Sequence, residues 1–119
     1  MTRKRNDNHS TEFGLWLREQ KVIDSKKGFL ASNLDFIWTN YKNKKWLLIE
    51  EKRYMAKIKQ WQRKMFITLH NAAKNDSNYQ GFYFIQFEKT SPEDGKIYIN
   101  HELRTKKELL DLLLFRGLK

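Results

Sequence analysis

Hydrophobic side chains recur with helical spacing in two parts of the chain. In residues 11–21, apolar side chains at relative positions i, i+3 and i+4 predict a first helix. In residues 55–74, apolar side chains that advance in steps of three and four predict a second helix, whose apolar stripe faces the sheet. The two patterns consist of Phe13, Trp16 and Leu17 in the first helix and Ile58, Trp61, Met65, Leu69 and Ala72 in the second.

A third helix is predicted near the C-terminus. Thr105 and Glu108 have the spacing of a capping box, which predicts a helix over about 106–116. Gly117 suits its C-cap, because glycine readily adopts the left-handed conformation found there. The helix has more apolar residues than one buried stripe requires, so part of it is available for another molecule, such as a second copy of the chain. Its apolar residues are Leu109, Leu110, Leu112, Leu113, Leu114 and Phe115.

Extended segments lie between the predicted helices. Residues 28–40 give one long bent strand or two short ones, and residues 46–53 give a strand that starts apolar and ends charged. The polar stretch 41–45 between them is predicted to be a tight hairpin loop. Two later strands, 81–89 and 95–100, flank a turn signal. The order α-β-β-β-α-β-β-α predicts an α/β (α+β) fold with about four to five strands.

The charge balance indicates a polyanionic partner. Lys and Arg number 24 against 14 Asp and Glu, for a net charge of +10. Such an excess repels itself in a compact fold and is most often tolerated when the partner is a nucleic acid. DNA is the expected partner. The length is that of one domain, and we expect a flexible basic arm at 1–10 followed by a single domain at 11–119.

Composition excludes several kinds of site. The chain has no cysteine, which excludes disulfides, thiolate zinc sites and cysteine nucleophiles. No apolar run approaches the roughly 20 residues of a membrane span. The basic N-terminus lacks the apolar segment of a secretory signal. We therefore expect an intracellular protein, cytoplasmic or nucleoid-associated, with no membrane partner and no nucleotide cofactor.

Two acidic residues interrupt apolar strands at positions that a hairpin can bring together. Asp35 stands among apolar residues, and Glu50 follows fifteen positions later on the next strand. Glu50 and Lys52 share one face of that strand, because side chains alternate between faces. Two close carboxylates repel each other, and a hard divalent cation such as Mg²⁺ relieves that repulsion. A nearby Lys could orient the attacking water or offset charge on a scissile phosphate, which completes a minimal phosphodiester-hydrolysing set.

This spacing resembles a known signature. Asp35 followed by Glu-Glu-Lys at 50–52 resembles the D…(D/E)-x-K motif of the PD-(D/E)XK nuclease superfamily, over roughly residues 10–115. The resemblance implies a restriction-endonuclease-like fold, in which a central mixed sheet is flanked by helices. Leu34 stands where many members have a Pro, although that Pro is often absent. Small single-domain members include Holliday junction resolvases, which are dimers.

The resemblance also implies a set of metal ligands. In the family the Asp and the Glu bind Mg²⁺, for which Mn²⁺ can substitute, and the residue between Glu and Lys lends its main-chain carbonyl. In this chain those ligands are Asp35, Glu50 and Glu51. Many members add an acidic residue from the first helix. Glu12 or Glu19 could fill that role, and both lie on one flank of the predicted helix.

A glutamine and a basic surface complete the expected site. Some members have a Gln on the helix after the Lys, and on a helical wheel Gln62 borders the sheet-facing side whereas Gln60 points to solvent. Gln62 is therefore the expected catalytic Gln. Trp38, Trp46 and Trp61 are expected to be core residues rather than base-stacking platforms. The expected nucleic-acid-binding residues are Lys44, Lys45, Arg53, Lys57, Lys59, Arg63 and Lys64.

Together these features predict a Mg²⁺-dependent endonuclease that hydrolyses DNA phosphodiester bonds. Phosphate contacts position a substrate without reading its sequence, so cutting is expected to depend on DNA structure or strandedness. One alternative is a double-stranded RNA-binding module, which also runs α, three strands, α with a basic second helix. Such a module has no use for two apposed acids. The other alternative is a relict-nuclease interaction subunit that docks through its apolar last helix.

Overall fold

The structure is a computed structural model that describes residues 12–27 and 33–117. The described residues fall into two compact units, one of residues 12–27 with Asn33 and one that begins at Leu34. The expected arm at 1–10 lies outside the described residues. The expected single domain at 11–119 stays a prediction.

The first unit consists of short helical segments. Helix α1 spans Glu12–Glu19, which confirms the helix predicted for 11–21. Single turns of 3₁₀ helix follow at Lys21–Ile23 and Ser25–Lys27. The rings of Phe13 and Trp16 stack with their centroids 6.0 Å apart, as expected for apolar residues one helical turn apart.

The second unit is built on one mixed five-stranded sheet, in the spatial order β1-β2-β3-β4-β5. Strands β2 and β3 are parallel, and every other neighbouring pair is antiparallel. A parallel pair needs a long crossover connection, and helix α2 lies within it. The strands are β1 (Phe36–Thr39), β2 (Trp46–Lys52), β3 (Tyr79–Phe87), β4 (Ile97–Ile99) and β5 (Glu102–Arg104).

Helices α2 (Gln60–Ala73) and α3 (Lys106–Leu113) cover opposite faces of this sheet. On the α2 face, Phe66 meets Phe82 with ring centroids 5.0 Å apart. On the α3 face, two leucines of the helix pack with strand residues in one apolar cluster. That cluster consists of Leu47, Ile49, Ile85, Phe87, Ile97, Ile99, Leu109 and Leu112. The coarse α/β class is therefore confirmed, with helices on both sides of a mixed sheet.

Helix α2 begins later than predicted, at Gln60 instead of residue 55. Tyr54 and Met55 adopt left-handed backbone conformations, with φ of 54° and 58°. Their N–H groups donate to the carbonyl oxygens of Lys89 (2.8 Å) and Phe87 (2.9 Å). These residues are used to cap the end of β3 instead of starting a helix.

The predicted inner face of α2 is wrong by about one residue around the helix. The buried residues are Phe66 and Ala73. Trp61, Met65 and Leu69 of the predicted stripe are 40%, 46% and 41% exposed. Periodicity identifies a stripe, but packing against β3 selects which side of the helix is buried.

Strand β5 was not predicted, because the turn before it lacks the usual sequence signal. Asn100 and His101 have φ of 50° and 70°, the two positive values of a type I′ hairpin turn. The common signal for that turn is Asn-Gly, and here His occupies the second position. The described strands are thus two before α2 and three after it, where the prediction placed three and two. Residues 28–32 of the predicted first strand lie outside the described residues.

Helix α3 has the predicted start and a different end. Its capping box is present: the Glu108 N–H donates to Thr105 Oγ1 (3.1 Å) and the Thr105 N–H donates to Glu108 Oε1 (3.0 Å). The helix stops at Leu113, and the left-handed residue after its cap is Phe115, with φ of 60°. Gly117 therefore lies beyond the C-cap that was assigned to it. Among the described helices, none is long and apolar enough to cross a membrane.

Candidate active site

The β1–β2 hairpin brings the two predicted carboxylates together. Phe36 pairs with Ile49, which sets Asp35 directly opposite Glu50 at the start of β1. The Asp35 N–H donates to Glu50 Oε1 (3.3 Å), and Asp35 Oδ2 accepts from the Glu51 N–H (2.8 Å). The two side chains thus join β1 to β2 by hydrogen bonds at the point where β1 begins.

A short polar loop fixes that register. Asn40 and Lys45 close it with a bond from the Asn40 N–H to the Lys45 carbonyl (2.9 Å). The Asn40 Oδ1 accepts from the N–H groups of Lys42 (2.9 Å) and Asn43 (3.3 Å), which is how Asn favours tight turns. Because a slip of one residue would move every side chain to the other face, this loop decides that Asp35 meets Glu50.

Glu50 is buried at a position where its charged form is disfavoured. Its side chain is 3% exposed. Burial, then the negative charge of Asp35 and a hydrogen bond to its side chain, raise the pKa of Glu50 from 4.5 to about 7. Lys52 opposes the rise, with its Nζ 3.6 Å from Glu50 Oε2. One partly exposed ammonium does not neutralise two adjacent acids, so Asp35 and Glu50 together retain excess negative charge when both are ionised.

The main-chain N–H of Glu51 also points toward Asp35, on the β1 side of β2. In a strand, the N–H and C=O of one residue point toward the same neighbouring strand. The Glu51 carbonyl therefore also points toward the β1 side, past the first residue of that strand. This is the position that the family resemblance assigns to a carbonyl ligand.

The donor set suits a hard divalent cation. Mg²⁺ is commonly held by one or two carboxylates, with waters and phosphate oxygens completing its shell. Asp35 and Glu50 offer two carboxylates and Glu51 one carbonyl. The part of the chain that the structure describes contains no cluster of three or more His, Asp or Glu side chains around one point. Asp35, Glu50 and the Glu51 carbonyl would supply only part of such a cation's shell, with waters and phosphate oxygens for the rest.

The predicted helix acids are in the other compact unit. Glu12 and Glu19 both lie on α1, whereas Asp35 and Glu50 belong to the unit that begins at Leu34. Their participation in the site stays a prediction.

The predicted orientation of the two glutamines is confirmed, and the catalytic role of Gln62 stays a prediction. Gln62 is half-buried and Gln60 is exposed, but the Gln62 Oε1 accepts from the Lys59 N–H (3.3 Å) at the start of α2. Gln86 was not considered from the sequence. It pairs with Lys52 in the sheet, lies on the same face, and is 5% exposed. A polar residue inside the apolar run 82–87 was the signal that could have identified it.

Gln86 connects the site to the segment after β2. Its Nε2 donates to the Ala56 carbonyl (3.0 Å). Together with the bonds from Tyr54 and Met55 to the end of β3, this fixes the backbone that leaves Lys52. Gln86 is therefore a buried polar link between β3 and the segment that follows β2, whereas the side-chain oxygen of Gln62 accepts a hydrogen bond at the start of α2.

The predicted basic residues form two groups. Lys44 and Lys45 lie on the hairpin loop, at the opposite end of β2 from Glu50. At about 3.3 Å per residue, the five positions from Lys45 to Glu50 correspond to about 16 Å, and Lys44 is one position farther. The other group follows Lys52 directly and consists of Arg53, Lys57, Lys59, Arg63 and Lys64, all of them exposed.

The second group lacks neutralising partners. No Asp or Glu stands between Glu51 and Asp76 in the sequence. None of the seven predicted binding residues forms an ion pair with a carboxylate among the described residues. The connection after β2 is therefore the more concentrated group of exposed cationic side chains, and it is continuous in sequence with the two-carboxylate site.

The last helix is mostly used within the chain. Leu109 and Leu112 are buried, and Leu113 and Phe115 pack against the same core. Only Leu110 and Leu114 of the six apolar residues named above are strongly exposed, at 57% each. A homodimer through this helix stays a prediction with a smaller apolar surface than the sequence suggested.

Comparison of the chain with protein-family models, with curated proteins and with solved structures finds no match.

Proposed function

We propose that the protein is a metal-dependent endonuclease that hydrolyses DNA phosphodiester bonds, with a preference set by DNA structure or strandedness rather than by sequence. The observation that carries the proposal is the buried Glu50 carboxylate, which contacts Asp35 and has Lys52 as its only ion-pair partner among the described residues. The PD-(D/E)XK resemblance and the β2–α2–β3 arrangement are consistent with it.

A purely structural role explains Glu50 poorly. Burial of a carboxylate costs several kcal/mol, which the Asp35 N–H and Lys52 offset only in part, and a second acid beside it adds repulsion. A solvated strand end would avoid both costs. Sites that violate ordinary packing rules in this way tend to be functional.

The chain's own residues suit the hydrolysis. Asp35, Glu50 and the Glu51 carbonyl would hold the divalent cation, which when bound supplies an activated water and Lewis acidity toward the phosphate. Lys52 is 25% exposed, so its ammonium reaches solvent while it stays beside Glu50. From there it can orient the attacking water or offset charge that develops on the scissile phosphate.

The surroundings suit a polyanionic substrate. Arg53, Lys57 and Lys59 follow the carboxylate strand directly, and all three are exposed. Phosphate contacts from such residues position DNA without selecting a sequence. A non-catalytic RNA reader would explain this basic surface, but it would not explain a buried acid beside another acid.

The test is cleavage of a panel of linear, single-stranded and branched DNAs, with Mg²⁺ or with EDTA. Glu50→Gln and Asp35→Asn should each reduce Mg²⁺-dependent cleavage at least about 100-fold, since loss of one key electrostatic group commonly costs that much. Their DNA affinity in EDTA should stay within about twofold, because Lys and Arg residues supply most of the affinity.

Glu93→Gln is the matched control. It is the same chemical change at an exposed residue whose ion pair with Lys106 is of the weak surface kind. Cleavage by Glu50→Gln at the rate of wild type and of Glu93→Gln would contradict the assigned site. No Mg²⁺-dependent cleavage of any DNA by wild type would contradict the function.

A further inference from the structure

Two aromatic side chains stand exposed in the basic connection that follows the carboxylate strand. Tyr54 is 69% exposed and Trp61 is 40% exposed. Tyr54 comes two residues after Lys52, and Trp61 lies in the first turn of α2. Trp61 was predicted to be a core residue, and its exposure contradicts that prediction.

Within the part of the chain that the structure describes, neither ring packs on another ring or forms a side-chain hydrogen bond, unlike the tryptophans Trp46 and Trp38. Among the described residues, Trp46 packs on Tyr79 with centroids 4.8 Å apart, and the Trp38 Nε1 donates to the Leu113 carbonyl (2.8 Å). Tyr54 and Trp61 make no ring contact and no side-chain hydrogen bond with any described residue. The faces of both rings are therefore open to stacking with a flat ligand.

The backbone that carries Tyr54 is held rigidly. Its left-handed conformation costs on the order of 1 kcal/mol for a residue with a side chain. It is retained by three hydrogen bonds to β3 or just beyond it: Tyr54 N–H to Lys89 O (2.8 Å), Met55 N–H to Phe87 O (2.9 Å) and Gln86 Nε2 to Ala56 O (3.0 Å). A ring on such a segment is presented with little loss of entropy on binding.

The charge around the rings indicates their ligand. Arg53 precedes Tyr54, and Lys64 stands three residues after Trp61 and so lies on the same side of α2. The acid-free stretch around them attracts a polyanion. Aromatic rings interleaved with cationic groups are the usual composition of a single-stranded nucleic-acid surface, where rings stack on bases and cations meet the phosphates.

We propose that Tyr54 and Trp61 stack on unpaired bases, so that the protein binds single-stranded DNA, or a single-stranded stretch of branched DNA, in preference to duplex. This inference rests on the proposed function and names its substrate class. In a duplex, neighbouring base pairs cover the faces on which a ring stacks, and only the phosphates remain for contact. The base next to the scissile phosphate would then be held just beyond Lys52.

Binding in EDTA tests the proposal without any cleavage. The probes are a fluorescein-labelled DNA of about 20 nucleotides, which exceeds the roughly 4–16 that one single-strand-binding fold covers, and the same sequence as a duplex. Tyr54→Ala and Trp61→Ala should each weaken single-strand binding at least about fivefold, the lower end of the effect of removing a stacked ring. Duplex binding should change less than about twofold.

The controls separate the ring from the fold. Tyr54→Phe keeps the ring and should bind as wild type does, whereas Tyr54→Leu keeps apolar bulk without a ring and should lose affinity. Tyr41→Ala removes a tyrosine that is 84% exposed on the hairpin loop, among Lys42 and Lys44, at the other end of β2. It should leave single-strand affinity unchanged. A melting temperature close to that of wild type would show that each variant folds.

The proposal is overturned if either alanine variant binds the single strand as wild type does, or if duplex affinity falls in parallel. Its failure is distinct from failure of the nuclease assignment. A protein that cleaves DNA but binds equally well without the rings retains the nuclease function only. A protein that shows ring-dependent binding but no Mg²⁺-dependent cleavage retains the single-strand surface only.

Discussion

On the α3 face of the sheet, Ile49, Ile85 and Ile99 pack with Leu112 of the helix, and every member of that buried cluster is apolar. On the α2 face, the buried side chains include Glu50 and Gln86 beside Leu48 and Phe84. The same strand contributes to both faces, since alternate residues of β2 point to opposite sides. One face is therefore filled for packing, and the other combines packing with two buried polar side chains.

The two faces of the sheet contribute differently to stability. Apolar burial on the α3 face contributes about 25 cal/mol per Å² removed from water. Burial of Glu50 beside Asp35 works against folding until a cation or a proton neutralises the pair. Changes on the two faces should therefore differ in their effects on stability.

The largest effect is expected from a cavity under α3. Leu112 is 2% exposed, so Leu112→Ala should lower the free energy of unfolding by about 2–5 kcal/mol. Leu110→Ala on the same helix, where the side chain is 57% exposed, should cost less than about 0.5 kcal/mol. Urea denaturation measures both. Equal losses would mean that α3 is not seated on the sheet through Leu112.

The next effect concerns pH and the α2 face. The pKa of Glu50 is raised from 4.5 to about 7, so the folded protein holds a proton that the unfolded chain releases. The stability from protonated Glu50 is fully present below pH 4.5 and is lost as pH rises to about 7, a loss on the order of 3 kcal/mol.

Metal-free unfolding at several pH values measures this loss as the difference between wild type and Glu50→Gln. Glu50→Gln should show no such loss and should exceed wild type in stability at pH 8. A difference that stays constant from pH 4 to pH 8 would show that Glu50 is not the buried, acid-paired group described above.

A smaller effect is expected from metal. A cation that binds only the folded site adds about 2.7 kcal/mol at 100 times its dissociation constant. Mn²⁺ or Mg²⁺ should therefore raise the melting temperature of wild type and of Glu93→Gln, and Glu50→Gln should respond little. Thermal melts in EDTA and in millimolar Mn²⁺ check this. An equal rise in all three proteins would place the metal elsewhere.

The smallest effect concerns the two basic groups. Changing Lys57, Lys59 and Arg63 together to Ala should flatten the plot of log affinity against log salt for duplex DNA, by up to about 0.9 per lost phosphate contact. The same change at Lys42, Lys44 and Lys45, on the far end of β2, should flatten it less. Binding titrations across salt concentrations compare the triplets. A larger change in slope for the hairpin triplet would show that DNA binds at the hairpin end of β2 instead.

Much of the site geometry followed from local pattern. Asp35 and Glu50 interrupt apolar strands, and a polar loop of hairpin length lies between them. Alternation placed Glu50 and Lys52 on one face, and the structure has them 3.6 Å apart. Gln86 illustrates the limit: the wheel placed Gln62 on the sheet-facing side and Gln62 is half-buried, but the buried glutamine beside Lys52 is Gln86, on a different strand.

Features that depend on a few neighbouring residues could be predicted from the sequence alone. These are the Thr105–Glu108 cap, the hairpin that joins Asp35 to Glu50, and the existence of helical stripes. Only the tertiary structure decided the features that depend on distant segments. Hydrogen bonds from 54–56 to the end of β3 delay α2, and contact with Phe82 selects its buried side. The raised pKa of Glu50 likewise requires layers of protein that exclude water, which no local pattern specifies.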